Sequence, residues 1–301
     1  MMELRHLRYF LAVADEGNVT RAAARLGISQ PPLSQQLKEL EGWLGVTLFV
    51  RSPQGMQLTA AGEAFQAEAL RTMQAAEVAR HAAVRAAQGH TGVLRVGFTG
   101  SASFHPAVAG TLRDFRRQWP QVQLELTETN TTRLTAHLNQ GRLDCAFLRP
   151  GASLTEPLQV LRLKDEAMKV VLPVSHPLAH LRRVGLARLA HDPWVLFPRS
   201  VGLSLYDAIL AACQRAGFEP RVEQTAPQMA SVIHLVAAEM GVSVVTASMG
   251  QVQAPGVVYL DIVGAAPKAT LGLARLPGEP SPCAANFWRV FDEGWRLGRK
   301  A

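Results

Sequence analysis

The chain has 301 residues, 48% of them hydrophobic and 18% charged, which is room for about two domains and too apolar for wholesale disorder. Its net charge of +7 is no basic flood over one segment: residues 1–62 carry six basic side chains against five acidic, residues 63–92 balance, and the excess lies in 93–301. No secretory leader or membrane span is expected, because MMELRHLRYF scatters charge and the apolar run at 229–247 is broken by His234 and Glu239. Cys145, Cys213 and Cys283 are odd in number and far apart, which fits a reducing cytoplasm; a redox pair between two of them is the alternative.

In chain order, residues 3–16 place Leu4, Leu7, Leu11 and Ala14 at helical spacing, with Phe10 widening the stripe. A shorter helix starts at Asn18 or Val19 and stops at Gly27, and a third puts Leu33, Leu37, Leu40 and Leu44 on one face. LFVR and MQLT flank the turn SPQG as a short hairpin. Thr59 can cap the next helix, for Glu63 to Gln88 contains no glycine or proline. Phe65, Met73, Ala76, Ala83 and Ala87 give that rod one soft apolar edge, which invites self-association. From residue 93 strands and helices alternate: strands at 93–98, 123–128 and 143–149 form a βαβαβ pattern of parallel type. A second set runs from about Lys169 through strands at 194–198 and 242–247 with helices at 204–216 and 228–240, and a last helix spans 283–297. Two α/β units with a crevice between them are expected.

The third helix begins with Pro31-Pro32, tolerated because first-turn amides have no intrahelical acceptor. Ser29 can cap it, leaving Gln30, Ser34, Gln35 and Lys38 on an outward face. A short helix, a glycine turn and a second helix with a polar start is the helix-turn-helix arrangement, whose second helix meets base edges in the major groove. Glutamine suits adenine, serine either base edges or phosphate, and Arg51 on the hairpin would touch phosphate or the minor groove. A solvated helical cap has the same pattern.

Residues 2–62 resemble, without a gap, the winged helix-turn-helix of LysR-type transcriptional regulators. The resemblance rests on Leu7-x-x-Phe10, Thr20 to Leu26 (T-x-A-A-x-x-L), Ser29-Gln30-Pro31, Leu33-Ser34, Leu40-Glu41, Leu48-Phe49-x-Arg51 and Leu58-Thr59-x-Ala61-Gly62. It implies a mixed fold: an α-helical winged helix-turn-helix over 1–59, a linker and dimerisation helix over 60–89, and an effector-binding domain over 93–301. That last domain would hold two α/β, periplasmic-binding-protein-like subdomains, one of 93–163 with 267–301 and one of 164–266. It further implies promoter or operator double-stranded DNA as partner, RNA polymerase as another, a homodimer or homotetramer, an activator role, and no cofactor. DNA contact would fall to Thr20, Gln30, Pro31, Pro32, Ser34, Gln35, Lys38 and Arg51. Gln35 and Gln54 stand where the family often has cations, so a shallow salt dependence is expected.

In doubly wound sheets ligands sit beyond the carboxyl ends of the strands. There the sequence places Ser101 and Ser103 after the first strand, Thr131 after the second, Arg149 after the third, and Pro198-Arg199-Ser200 before the helix at 204. Helix N-termini and a guanidinium favour a small carboxylate, dicarboxylates included; ordinary caps and an internal partner for Arg149 are the alternative. GFTGSASF, ELTETNT and RLDCAFLRP are similar to LysR-type regulators of aromatic-compound degradation, which implies a muconate- or benzoate-type effector held by Ser101, Thr131 and Arg149, with Leu203 and Leu205 from the second subdomain. Two readings stay open: the same regulator with a non-aromatic or uncharged effector, and a two-lobed binding protein with no transcriptional role. No catalytic motif or metal site supports an enzyme, and Pro177 spoils a helical alignment of His176 with His180.

Overall fold

The computed structural model describes residues 1–53, 55–151, 157–251 and 254–296. The chain falls into two compact units, Met1–Arg85 and Ala86–Ala301. In the first, α1 (Leu4–Glu16), α2 (Val19–Leu26) and α3 (Gln30–Leu44) enclose a core of Leu7, Phe10, Val13, Leu33, Leu37 and Leu40. Asn18 caps α2, its Oδ1 accepting from the amides of Thr20 (2.9 Å) and Arg21 (3.1 Å). Ser29 is the N-cap residue of α3, but its side chain makes no capping bond; Pro31 and Pro32 remove two of the amides that would need one.

β1 (Phe49–Ser52) and β2 (Gly55–Leu58) form an antiparallel wing. Glu41 ties its root to α3 by accepting from the amides of Leu48 (2.7 Å) and Phe49 (3.2 Å). At its tip Gly55 has φ +124°, and an added Cβ would lie 2.3 Å from the Gly17 carbonyl oxygen. The Met56 amide donates to that same oxygen at 2.7 Å, so the wing lies on the α1–α2 turn because residue 55 has no side chain. Gln54 lies outside the described residues.

α4 (Ala60–Ala87) starts behind Thr59, whose Oγ1 accepts from the Gly62 amide at 2.9 Å. Phe65 and Met73, expected on a free apolar edge, instead pack on the core of the first unit with Ala69; Phe65 meets Phe10 edge-on at 4.9 Å between ring centres. The apolar side chains left exposed on α4 are Leu70, Val78 and Val84.

In the second unit β3 (Gly92–Phe98), α5 (Pro106–Gln118), β4 (Val122–Glu128), α6 (Thr131–Asn139) and β5 (Cys145–Leu148) form the expected βαβαβ, with β3 parallel to both neighbours. Gly97 lets α6 settle on the sheet, since an added Cβ would lie 2.5 Å from Leu134 Cδ2 and 2.7 Å from Leu143 Cδ1. β6 (Gln159–Arg162) is the far edge of this sheet. The chain then enters the second lobe through β7 (Glu166–Pro173), β8 (Arg183–Gly185), β9 (Pro193–Leu196), α7 (Leu203–Arg215), β10 (Arg221–Thr225), α8 (Ser231–Ala237), β11 (Ser243–Thr246), β12 (Val257–Val263) and β13 (Lys268–Ala269). It returns as β14 (Gly272–Arg275), antiparallel to β5 and β6, and α9 (Pro282–Phe291), which runs into a π-helical turn, Asp292–Arg296.

The second lobe is less parallel than its strand spacing suggests. β7 runs antiparallel to β11, β12 and β13, while β9–β10 and β8–β12 are its parallel pairs. An apolar run reports burial but not direction. β13 pairs with β7, so the return crossing falls after Ala269, later than the boundary at residue 266 drawn from sequence. The two crossings lie side by side, with the Leu163 amide donating to the Leu271 carbonyl (2.8 Å) and Thr270 Oγ1 to Asp165 (2.5 Å). Each lobe has its own core: Phe115, Phe147, Phe287 and Phe291 in the first, Trp194, Phe197, Val170 and Val171 in the second. The three cysteines are free and buried, and burial pushes the thiols of Cys145 and Cys213 up, to about 12 and about 11.

Candidate nucleic-acid interface and effector cleft

The N-terminus of α3 is a polar, outward surface. Gln30, Pro31, Pro32, Gln35 and Lys38 are exposed, Ser34 is half-buried, and Gln30 Nε2 donates to Ser34 Oγ at 2.6 Å. Gln35 Nε2 donates to Glu39 (3.0 Å), so each glutamine is held by a side chain one turn further along α3. Thr20 is exposed beside the Asn18 cap, and Arg51 is exposed on β1. Of the six cations in residues 1–62, three are committed internally: Arg5 to Glu3, Arg21 to Glu16, and Arg25 to Asp15 and Glu16. Arg8 stacks over Tyr9, and among the described residues Lys38 and Arg51 have no ion-pair partner.

In the second unit a cleft of about 450 Å³ opens between the lobes, where the N-termini of α6 and α7 come together. Asn130 Oδ1 takes the Arg133 amide (2.9 Å), which leaves the amides of Thr131 and Thr132 with no intrahelical acceptor. α7 begins after Gly202 with no side-chain cap, so its first amides are likewise unclaimed by the helix. The structure brings Ser101, Thr131, Arg149 and Leu205 to this cleft, with Ser200 and Ser204.

Arg149 is the centre of the arrangement and only 3% exposed. Its Nε donates to Ser101 Oγ (2.8 Å) and its Nη2 to Ser101 O (3.1 Å) and Glu166 Oε1 (2.7 Å). Glu166 Oε2 accepts from the Ser248 amide (3.0 Å), and Ser204 Oγ donates to the Arg149 carbonyl (3.2 Å). Arg149, from the first lobe, is therefore held by two side chains of the second. Its Nη1, like Thr99 Oγ1, is buried with no partner among the described residues. Burial lowers the Arg149 pKa and Glu166 opposes that; arginine stays charged regardless. Burial also lowers the pKa of His105, beside this pair.

Three residues expected in the cleft do not line it. Ser103 is exposed and donates to the Gly100 carbonyl (2.7 Å), because the chain after β3 makes a turn before α5 begins. The cap of α5 is His105, whose Nδ1 accepts from the Ala107 amide (3.1 Å). Pro198 sits behind the cleft in a turn, its carbonyl accepting from the Val201 amide (2.9 Å). Leu203 opens α7 but is not in the lining, while Leu205 two residues on is. Arg199 faces solvent in a two-point pair with Asp207 (2.7 and 2.8 Å). Glu166, Glu128, Arg133 and Ser204 were not foreseen; a carboxylate at the head of a strand carries no sequence signal of the guanidinium it will meet. His176 is a capping residue, its Nδ1 accepting from the Leu178 amide (3.1 Å).

A three-helix unit with a wing, and a two-lobed unit with a polar cleft between helix N-termini, together fit a DNA-binding protein with a separate substrate-binding domain. Residues 4–63 match the model of the bacterial regulatory helix-turn-helix protein, lysR family, and residues 87–296 that of the LysR substrate binding domain. The chain belongs to the LysR family of transcriptional regulators; it is a DNA-binding regulator with a substrate-binding domain, not an enzyme. It is 42% identical to the uncharacterized HTH-type transcriptional regulator YnfL of Escherichia coli K12, over 95% of this chain and 96% of that one. It is 35% identical to the Hca operon transcriptional activator HcaR of the same organism, covering 97% and 98%. Among solved structures, CbnR, a LysR family transcriptional regulator, superposes with a TM-score of 0.85 at 30% identity, covering 96% of this chain and 100% of that one; full-length CbnR in complex with its target DNA superposes at 0.81. Among the described residues no helix is long and apolar enough to cross a membrane.

Proposed function

We propose that the chain is an activator in which Gln30, Ser34 and Gln35 read base edges in the major groove. Lys38 and Arg51 would neutralise phosphate, and Thr20, Pro31 and Pro32 would set the approach. Its effector is a small carboxylate in the cleft of the second unit, of the class found in aromatic-compound degradation, benzoate or muconate. The observation that carries the effector reading is the buried, unpartnered Nη1 of Arg149 in a cleft flanked by two helix N-termini. Leu70, Val78 and Val84 on α4 support a homodimer or homotetramer, and the likeness to HcaR, a transcriptional activator, supports activation, with RNA polymerase as partner and the cytoplasm as location. The working boundaries are 1–59, 60–89 and 93–301. Effector binding would bias the arrangement of the lobes and through it the spacing of the DNA-reading helices.

The second reading is an uncharged effector, favoured by Glu166, which already neutralises Arg149. Thermal shift of the full chain with benzoate and with benzamide separates the two. A rise in Tm with benzoate alone, lost in Arg149→Ala/Glu166→Gln, is the expected result. A rise with benzamide alone would establish the uncharged reading.

A further inference from the structure

The charges around the cleft decide what a ligand carries beyond its first carboxylate. Arg149 offers no free two-point fork: Nε and Nη2 are engaged, Glu166 cancels its charge at 2.7 Å, and Nη1 alone is buried without a partner among the described residues. At the end of β4, Glu128 lines the same cleft beside Gly100, where an added Cβ would lie 3.1 Å from Glu128 Oε1. Among the described residues the Glu128 carboxylate has no hydrogen-bond or ion-pair partner, and neither has the Arg133 guanidinium, the remaining charged group in the lining. The four charges balance in number, two of each sign. What is left is the two helix N-termini, each equivalent to roughly half a positive charge, which together match one carboxylate and not two.

We infer that the cleft selects a monocarboxylate whose far end donates an N–H or O–H hydrogen bond to Glu128, and that Glu128 turns dicarboxylates away. The inference rests on the effector reading above and narrows it: a hydroxy- or amino-substituted monocarboxylic acid fits, and a muconate-type dianion does not. An ionised carboxylate only accepts hydrogen bonds, so Glu128 rewards a donor and repels a second anion. Arg133, exposed on the first turn of α6, makes no ion pair with Glu128 among the described residues and leaves that carboxylate unpaired.

Titration calorimetry of the full chain with benzoate, 4-hydroxybenzoate, 4-aminobenzoate and cis,cis-muconate tests this, on wild type, Glu128→Gln and Arg149→Ala/Glu166→Gln. Glu128 is exposed, so its amide variant should fold; an unchanged Tm without ligand checks that. The expected result is that wild type binds a donor-bearing monocarboxylate at least about tenfold more tightly than muconate (about 1.4 kcal/mol), and that Glu128→Gln erases most of the difference. Tightest binding of muconate by wild type, an unchanged ratio in Glu128→Gln, or no binding of any monocarboxylate would each overturn the inference. The double variant keeps the two readings apart. If muconate binds best and the double variant loses it, the cleft stands and only its charge selection fails; if the double variant still binds every ligand, the cleft itself is wrongly placed.

Discussion

Arg149 is held by Ser101 and Glu166, and its buried Nη1 has no partner among the described residues. Breaking a buried pair by deleting one partner strands the other charge, so Arg149→Ala should cost about 3 kcal/mol of stability, and adding Glu166→Gln should restore much of it. Urea unfolding of both variants measures this; equal losses would show that Glu166 is not relying on Arg149. His105 belongs to the same neighbourhood, and its pKa is lowered chiefly by burial, further by Arg149 and against the pull of Glu166. The folded chain then binds fewer protons than the unfolded one below the ordinary value of 6.5, so stability falls as pH drops through that window and is fully present above it. Tm recorded between about pH 5 and 7.5 should show a slope that His105→Gln flattens. At the DNA surface, with three cations already paired, Lys38→Ala should reduce the log–log salt slope of binding by about 0.9. A wild-type slope near −10 would contradict so sparse a phosphate contact.

At the level of elements, caps and close approaches matter more than propensity. Asn18→Ala removes the acceptor of two amides at the head of α2 and should cost about 1 kcal/mol, read by thermal unfolding of the full chain. Gly97→Ala should cost about 1–3 kcal/mol, because its Cβ would overlap Leu134 and Leu143 and push α6, with its N-terminus at the cleft, off the sheet. Much of this layer was legible in the sequence. Apolar spacing and glycine stops mark α1 to α3, and alternation of strand and helix marks the first lobe, since both are local signals. The second lobe's pairing was not legible, because β7 draws partners from strands that follow it by many residues. The cleft was half legible. Strand ends announced Ser101, Thr131 and Arg149, but Ser103 was lost to a turn whose cap is a histidine, and Glu166 arrives from the neighbouring lobe with no local mark.

In the molecule as a whole, one unit carries the helix-turn-helix and the other the substrate-binding domain. The family makes each unit's role plain, while the link between them is the proposal. The most direct measurement is a nuclease footprint of the full chain on DNA enriched by it from a random pool, with and without saturating 4-hydroxybenzoate. It is run on wild type and on Arg149→Ala/Glu166→Gln. The account predicts that the ligand alters the length or pattern of protection for wild type and leaves that of the double variant unchanged. Ligand that binds wild type yet leaves its footprint identical would contradict it, for the cleft would then hold a ligand without controlling DNA.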